Sequence, residues 1–230
     1  MDKPVIIMDR TVKLIENFVT WQGEGPDSGK SMIILRFKTC NLKCPWCDTS
    51  VKMRITAEAE HRMVDIQKTI EKKSCGILIT GGEPTVDRHY NDTLSLLNGL
   101  LYPIANVESN GYNLYKLITE TIPSKNVNFI YSPKIFSKED MEEALKMTDL
   151  IYLHKNVHIK IVWDGGGLIE NFIEKIFLAY PNLNWEQRIW LMPEGVTKKE
   201  LLSNASEVFD ICEKYNLNFS SRNHIMFGFV

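Results

Sequence analysis

"MIILRFKTCNLKCPWCDTS", Met32 to Ser50, joins two unlike kinds of sequence. Residues 32–38 are almost wholly apolar and bulky, the composition of a buried strand. The next twelve positions are polar and hold three cysteines, so the strand is expected to end in a loop that carries chemistry. The same pattern returns downstream. "GILIT" (76–80) runs into Gly81-Gly82-Glu83-Pro84, "ANVES" (105–109) into Asn110-Gly111, and "VNFIYS" (127–132) into Pro133-Lys134. Helical patterns over 57–73, 88–101 and 137–147 lie between or after these runs, and the last opens with a capping-box pattern at Ser137. A strand over 157–163, a helix over 167–179, a strand over 188–192 and a helix over 197–215 complete the series. Strands of five to seven residues separated by longer helices predict βαβ units and a mainly parallel sheet. About six units are too few to close an eight-fold barrel. The expected fold is therefore α/β, a partial, open β/α barrel of about six strands, with residues 1–230 as a single domain. Ligands of such sheets gather at the carboxyl ends of the strands, and every polar or glycine-rich stop falls on that edge.

The chain has 230 residues, 44% of them hydrophobic and 24% charged, which suits a globular core. With 27 basic and 29 acidic residues the net charge is −2, giving no general drive toward nucleic acid or an anionic membrane. No apolar run is long enough to span a bilayer, and "MDKPVIIMDRTVKLIE" makes a poor signal peptide because Asp9 and Arg10 interrupt it. A cytoplasmic location is expected. Five cysteines, three of them clustered, argue against a secreted disulfide framework, and Cys75 and Cys212 read as small buried hydrophobes.

Cys40, Cys44 and Cys47 form C-x3-C-x2-C. A structural zinc wants four ligands, usually with a second distant pair; none exists, and Cys75, His61 or His89 would have to be recruited singly. Three thiolates on one loop can instead each hold one iron of a 4Fe–4S cluster, leaving the fourth iron without a protein ligand. An open coordination position is what separates a reactive centre from a structural one.

This loop, with Trp46 just before its last cysteine, resembles that of the radical S-adenosylmethionine superfamily. The resemblance implies a radical-SAM-type partial barrel, a 4Fe–4S cluster on Cys40, Cys44 and Cys47, and S-adenosylmethionine on the open iron. It places Trp46, Cys47, Asp48, Gly81, Gly82 and Glu83 at the cosubstrate, Glu83 accepting from its ammonium. It adds Glu108, Ser109 and Asn110, then Ser132, Pro133 and Lys134, as ribose and carboxylate contacts. Met192, Pro193, Glu194 and Gly195 stand where a proline-containing loop packs against adenine.

The stretch from Phe18 to Thr49 narrows the resemblance further, to the 7-carboxy-7-deazaguanine synthases. Gln22-Gly23-Glu24-Gly25, Arg36 four residues before the first cysteine, and Cys47-Asp48-Thr49 are the matching positions. The family's substrate is 6-carboxy-5,6,7,8-tetrahydropterin, whose edge carries amide and amine groups. Trp21, Gln22, Gly23 and Glu24 are expected to pair with that edge, and Trp21 stands where an aliphatic residue is usual. Arg36 offers a planar fork to the substrate carboxylate. Thr49 is implied as a Mg²⁺ ligand, a hard oxygen suited to that ion. Thr80 and Glu108 are implied substrate contacts, and His224, in Arg222-Asn223-His224, a hydrogen-bond donor to substrate. Glu24, Arg36 and His224 are the implied catalytic residues, and the carboxylate of Val230 is expected to reach the substrate. A flavodoxin or ferredoxin reductant and a homodimer are also implied. The alternative within the superfamily is an activase that generates a glycyl radical on a partner protein; it would share the cluster and GGEP but has no evident use for QGEG, Arg36 and CDT together.

Overall fold

The computed structural model describes residues 9–229, so the expectation for Val230 lies outside the described residues. Two compact units make up the chain: one runs to Gln22 and resumes from Lys30 to Phe129, and the other comprises Gly23–Gly29 and everything from Ile130.

The first unit opens with β1 (Thr11–Leu14) and β2 (Glu16–Trp21), followed by β3 (Ser31–Phe37). After the cysteine loop come α1 (Ser50–Ile55), β4 (Ala59–Arg62), α2 (Met63–Lys73), β5 (Gly76–Gly81), α3 (Asp87–Gly99), β6 (Ala105–Ser109) and α4 (Leu114–Glu120). β3, β5 and β6 pair in parallel, and β2 lies antiparallel on β3. The expected helix over 57–73 forms over its last eleven residues, and four residues before it are strand. Ala59–Arg62 pairs antiparallel with β1, Leu14 opposite Ala59 and Thr11 opposite Arg62, and the helix begins only at Met63. Helical propensity in "AEAEHR" yields to the backbone ladder that β1 offers, a tertiary override of local preference.

Side chains alternate along these strands, so each register fixes two faces. Ile33, Leu35 and Phe37 share one face with Ile77, Ile79, Ala105 and Val107, all 1% exposed or less. On the other face Met32, Ile34 and Leu78 cluster with Phe18 and Ile104. One level further along, that face turns polar, with Glu16 opposite Arg36 and Arg36 opposite Thr80.

β7 (Val127–Tyr131) leads into the second unit, which holds α5 (Lys138–Ile151), β8 (Val157–Trp163), α6 (Gly167–Ala179), β9 (Ile189–Pro193), α7 (Lys198–Tyr215), β10 (Asn218–Phe219) and α8 (Asn223–Phe227). β8, β9 and β10 pair in parallel. All six strands expected from the sequence form. β1, β2, β4 and β10 are additional: they are short, or polar enough to lack an apolar run, and pairing rather than composition makes them strands. Cys75 and Cys212 are buried, as their apolar settings imply.

Helix starts follow their caps. Ser137 Oγ accepts from Asp140 N at the head of α5, and Thr197 forms a reciprocal capping box with Glu200 at the head of α7. Replacing either cap by alanine is expected to cost about 1 kcal/mol of stability. Urea unfolding of Ser137→Ala and Thr197→Ala measures it, and an unchanged midpoint removes the caps from the account.

Candidate active site

The root of the cysteine loop is fixed by backbone pairing that outlasts the strands. Gly82 N donates to Phe37 O at 3.0 Å and Glu83 N to Thr39 O at 2.8 Å, carrying the β3–β5 ladder up to the first cysteine. This approach requires glycine. A Cβ on Gly81 would lie 2.3 Å from Phe37 O, and one on Gly82 2.3 Å from Thr39 O. Gly81 also has φ of +136°, a conformation most side chains avoid. From the other side Thr39 N donates to His89 Nε2 at 3.2 Å, and the His89 ring stacks on Phe37 with centroids 4.6 Å apart. Accepting that bond requires an unprotonated Nε2, and burial together with Arg88 holds the pKa of His89 below its ordinary value.

Within the loop, Leu42 N donates to Cys40 Sγ at 3.4 Å and Cys47 N to Cys44 O at 3.3 Å. All three cysteines are half-buried and outside any disulfide. Among the described residues no three or more His, Cys, Asp or Glu side chains are placed to hold a single metal ion. A cluster makes no such demand, because each thiolate takes its own iron, so the donor set fits a three-thiolate cluster better than one zinc. Thr49 occupies the N-cap position of α1, yet its hydroxyl makes no capping bond and lies 3.4 Å from Cys47 Sγ. Trp46 is half-buried and Asp48 exposed.

Glu83, implied as a cosubstrate contact, is also engaged within the chain. Its carboxylate is 1% exposed and faces inward. Oε1 accepts from Thr85 N, Thr85 Oγ1 and Ser109 Oγ, and Oε2 from Asn110 N at 2.6 Å. Burial raises the Glu83 pKa, and these donors offset part of the rise. The carboxylate thus braces the turn after β5 to the end of β6. Asn110 in turn reaches the cysteine loop, its Nδ2 donating to Asn41 Oδ1 at 2.9 Å.

The polar level below the loop holds two bonded groups, related by the register that sets Arg36 opposite Thr80. Glu16 accepts from Arg36 Nε and Lys52 Nζ, each at 2.5 Å. Burial opposes ionisation of Glu16, but the bonds from Lys52 and Arg36 outweigh it and lower its pKa. Glu16 engages Arg36 through Nε. Thr80 Oγ1 donates to Glu108 Oε2 at 3.1 Å, and Gln22 Nε2 lies 3.5 Å from Glu108 Oε1. Arg36, Thr80, Glu108 and Gln22 therefore belong to one polar level of the first unit.

In the second unit the loop 23–29 is tied to the C-terminal segment. Asn223 N donates to Gly23 O at 2.9 Å, Gly25 N to Ser220 Oγ at 3.0 Å, and Asn223 Nδ2 to Ser28 Oγ at 2.8 Å. His224 packs so closely over Gly23 that a Cβ there would lie 2.3 Å from its Nδ1. Glu24 is buried between Lys160 and Arg222, and Arg222 Nη1 also donates to Gly195 O at 2.6 Å. Lys134 Nζ bonds back to Ser132 O and Oγ at 2.9 and 2.7 Å. Met192 and Pro193 end β9 and are buried, while Glu194 N donates to Trp163 O. Trp21, by contrast, is 54% exposed.

Glu16, Lys52, Thr85, His89 and Lys160 were absent from the sequence-derived site. Lys160 did carry a signal: it is the one charge at an alternating position inside the apolar run "VHIKIVW", where an unpaired lysine is seldom buried. The others lie on elements whose placement no local pattern reveals.

A mainly parallel α/β fold with a three-cysteine loop at the carboxyl end of a strand defines the radical S-adenosylmethionine class of enzymes. The chain is similar in structure to QueE from Escherichia coli, with a TM-score of 0.61 at 20% identity over 97% of this chain and 99% of that one. It is also similar to Streptococcus suis SuiB solved with S-adenosylmethionine, at a TM-score of 0.55 and 16% identity over 83% of this chain and 49% of SuiB. No family model matches the sequence. Whole-sequence relatives are more specific. The 7-carboxy-7-deazaguanine synthase of Thermoplasma acidophilum is 33% identical over 159 residues, 65% of this chain and 68% of the relative. That of Hyperthermus butylicus is 26% identical over 238 aligned positions, 95% and 94% of the two chains. The chain belongs to the 7-carboxy-7-deazaguanine synthase family.

The glycine approach makes a direct prediction. Gly82→Ala is expected to lose most of its iron and labile sulfide after anaerobic reconstitution. Gly167→Ala, where an added Cβ meets nothing within 4 Å, keeps them. Equal cluster content in the two variants contradicts the account of the loop root.

Proposed function

We propose that this chain converts 6-carboxy-5,6,7,8-tetrahydropterin to 7-carboxy-7-deazaguanine with loss of ammonia. The observation that carries the reading is the set Gln22, Arg36, Thr80 and Glu108, with Arg36 on the strand that ends at the cysteine loop and opposite Thr80. Arg36 lies four residues before Cys40, so a molecule held on this set lies close beneath the loop.

Cys40, Cys44 and Cys47 would hold a 4Fe–4S cluster, and the glycines at 81 and 82 bring a second backbone segment against its loop. The cluster and S-adenosylmethionine, when bound, supply the radical that removes a hydrogen atom from the substrate. Everything else falls to the chain's own groups. Arg36 binds the substrate carboxylate through its guanidinium. Thr80, Glu108, Gln22 and the backbone of Trp21 to Gly23 pair the ring's amide and amine groups, so a wrong ring leaves buried polar atoms unpaired. His224 donates a hydrogen bond to the substrate. Ser109 and Asn110, Ser132 to Lys134, and Met192 to Gly195 contact the cosubstrate. Thr49 Oγ1, uncommitted to helix capping, would supply Mg²⁺ with a hard oxygen ligand, and the ion would help orient the substrate carboxylate. Support for the magnesium, the flavodoxin or ferredoxin reductant, the homodimer and the cytoplasmic location comes from the family resemblance; among the described residues no helix is long and apolar enough to cross a membrane. The activase alternative is not favoured, because the relatives are synthases and the QGEG, Arg36 and Thr49 positions serve a small carboxylated substrate.

The test is anaerobic turnover of the tetrahydropterin carboxylate with and without Mg²⁺, native chain against Thr49→Ala. The native chain is expected to form the deazaguanine product and respond to Mg²⁺, and the variant to lose that response. Absence of product from the native chain overturns the reading; a variant that keeps its metal response removes Thr49 from it.

A further inference from the structure

We infer that Lys160 and Arg222 are positioning residues that lock Glu24 as a permanently ionised, acceptor-only carboxylate, so that this end of the substrate must present N–H donors. The inference rests on the function proposed above and deepens it by assigning what the second glutamate-bearing loop selects. Glu24 comes from the loop 23–29, and its two cations come from remote parts of the chain. Lys160 Nζ, from the middle of β8, lies 2.6 Å from Oε2, and Arg222 Nε, just before α8, lies 3.0 Å from Oε1. The side chains are 5%, 7% and 11% exposed for Lys160, Arg222 and Glu24.

A carboxylate offers about four lone-pair directions. Lys160 engages Oε2 and Arg222 engages Oε1, and an ionised carboxylate can take part in further hydrogen bonds only as acceptor. His224 Nε2 is 4.0 Å from Oε1, facing the same oxygen as Arg222. Arg222 is itself fixed by Gly195 O, so it cannot follow Oε1 without giving up that second bond. Lys160, Arg222 and His224 are the charged or titratable groups acting on Glu24, and Asp27, the other acid of the loop, acts on His158. Burial alone would favour the neutral acid, but the two cations and His224 outweigh it and hold the Glu24 pKa far below the carboxylate range.

The sign follows. A carboxylate whose folded pKa is depressed contributes stability above its unfolded value of about 4.3, and loses it as pH falls through the folded one. Removing Lys160 raises the folded value, so both the loss of stability and the loss of donor recognition begin at higher pH.

Lys160→Met, Lys160→Arg, Arg222→Met and Arg222→Lys are compared with the native holoenzyme in thermal unfolding across acid pH and in the pH profile of kcat/KM for the tetrahydropterin carboxylate. Lys160→Met is expected to move the acid limb of both curves up by about 1 to 3 pH units. It is also expected to raise KM about tenfold with a smaller change in kcat. Lys160→Arg restores both limbs. A uniform loss of stability at every pH, with an unmoved limb, marks a purely structural ion pair and overturns the inference. If Lys160→Met does not fold, Arg222→Met, which removes the other cation, decides by the same limb, and Arg222→Lys restores it. If the native enzyme forms no deazaguanine, the proposed function fails, and the unfolding curves still decide whether Lys160 sets the ionisation of Glu24.

Discussion

The site depends on two backbones running closer together than side chains allow. The parallel ladder of β3 and β5 continues through Gly81 and Gly82 onto Phe37 and Thr39, and only hydrogen atoms fit where a Cβ would stand. That contact sets the height and direction of Cys40, and through it the loop to Cys47. The brace from His89 on α3 and the Asn110–Asn41 bond hold the same loop from two other elements. Three separate strand ends therefore converge on one loop, so the geometry of the thiolates is inherited from the sheet rather than from the loop's own sequence.

Three buried or half-buried glutamates organise the polar groups, and each is held differently. Glu16 bridges two cations, Arg36 and Lys52. Glu24 sits between Lys160 and Arg222. Glu83 is met by hydroxyls and backbone N–H groups with no cation. Charged pairs in a low dielectric are costly to form but costlier to break, which makes them effective at fixing orientation. The neutral donors around Glu83 suit a different task, joining the turn after β5 to the end of β6. Burial and partners thus separate three carboxylates of one residue type.

The strand series was legible because the buried parallel strands are continuous apolar runs with polar stops, and helices divide them, most of ten or more residues and α4 of seven. The order of those stops also placed the cysteine loop, the GGEP turn and the Asn110 turn on one edge. Less legible was 57–73, where an amphipathic pattern conceals a strand whose partner lies nearly fifty residues earlier. β2 has no apolar alternation to announce it, yet it brings Glu16 opposite Arg36. Residues such as Lys52 and His89 sit on ordinary helices and gain meaning only from what lies across from them.

By itself the sequence determined the chemistry available: three thiols in one loop, glycines at a strand end, an arginine four residues before the first cysteine, and the apolar runs that make a mainly parallel sheet. These are local properties, set by residue type and spacing. Only the tertiary structure decided which carboxylates are already engaged, since the partners of Glu24 stand 136 and 198 residues away in the chain. Long-range ion pairing leaves no periodic trace, because it is selected by distance in space and by burial, and neither is a function of sequence separation.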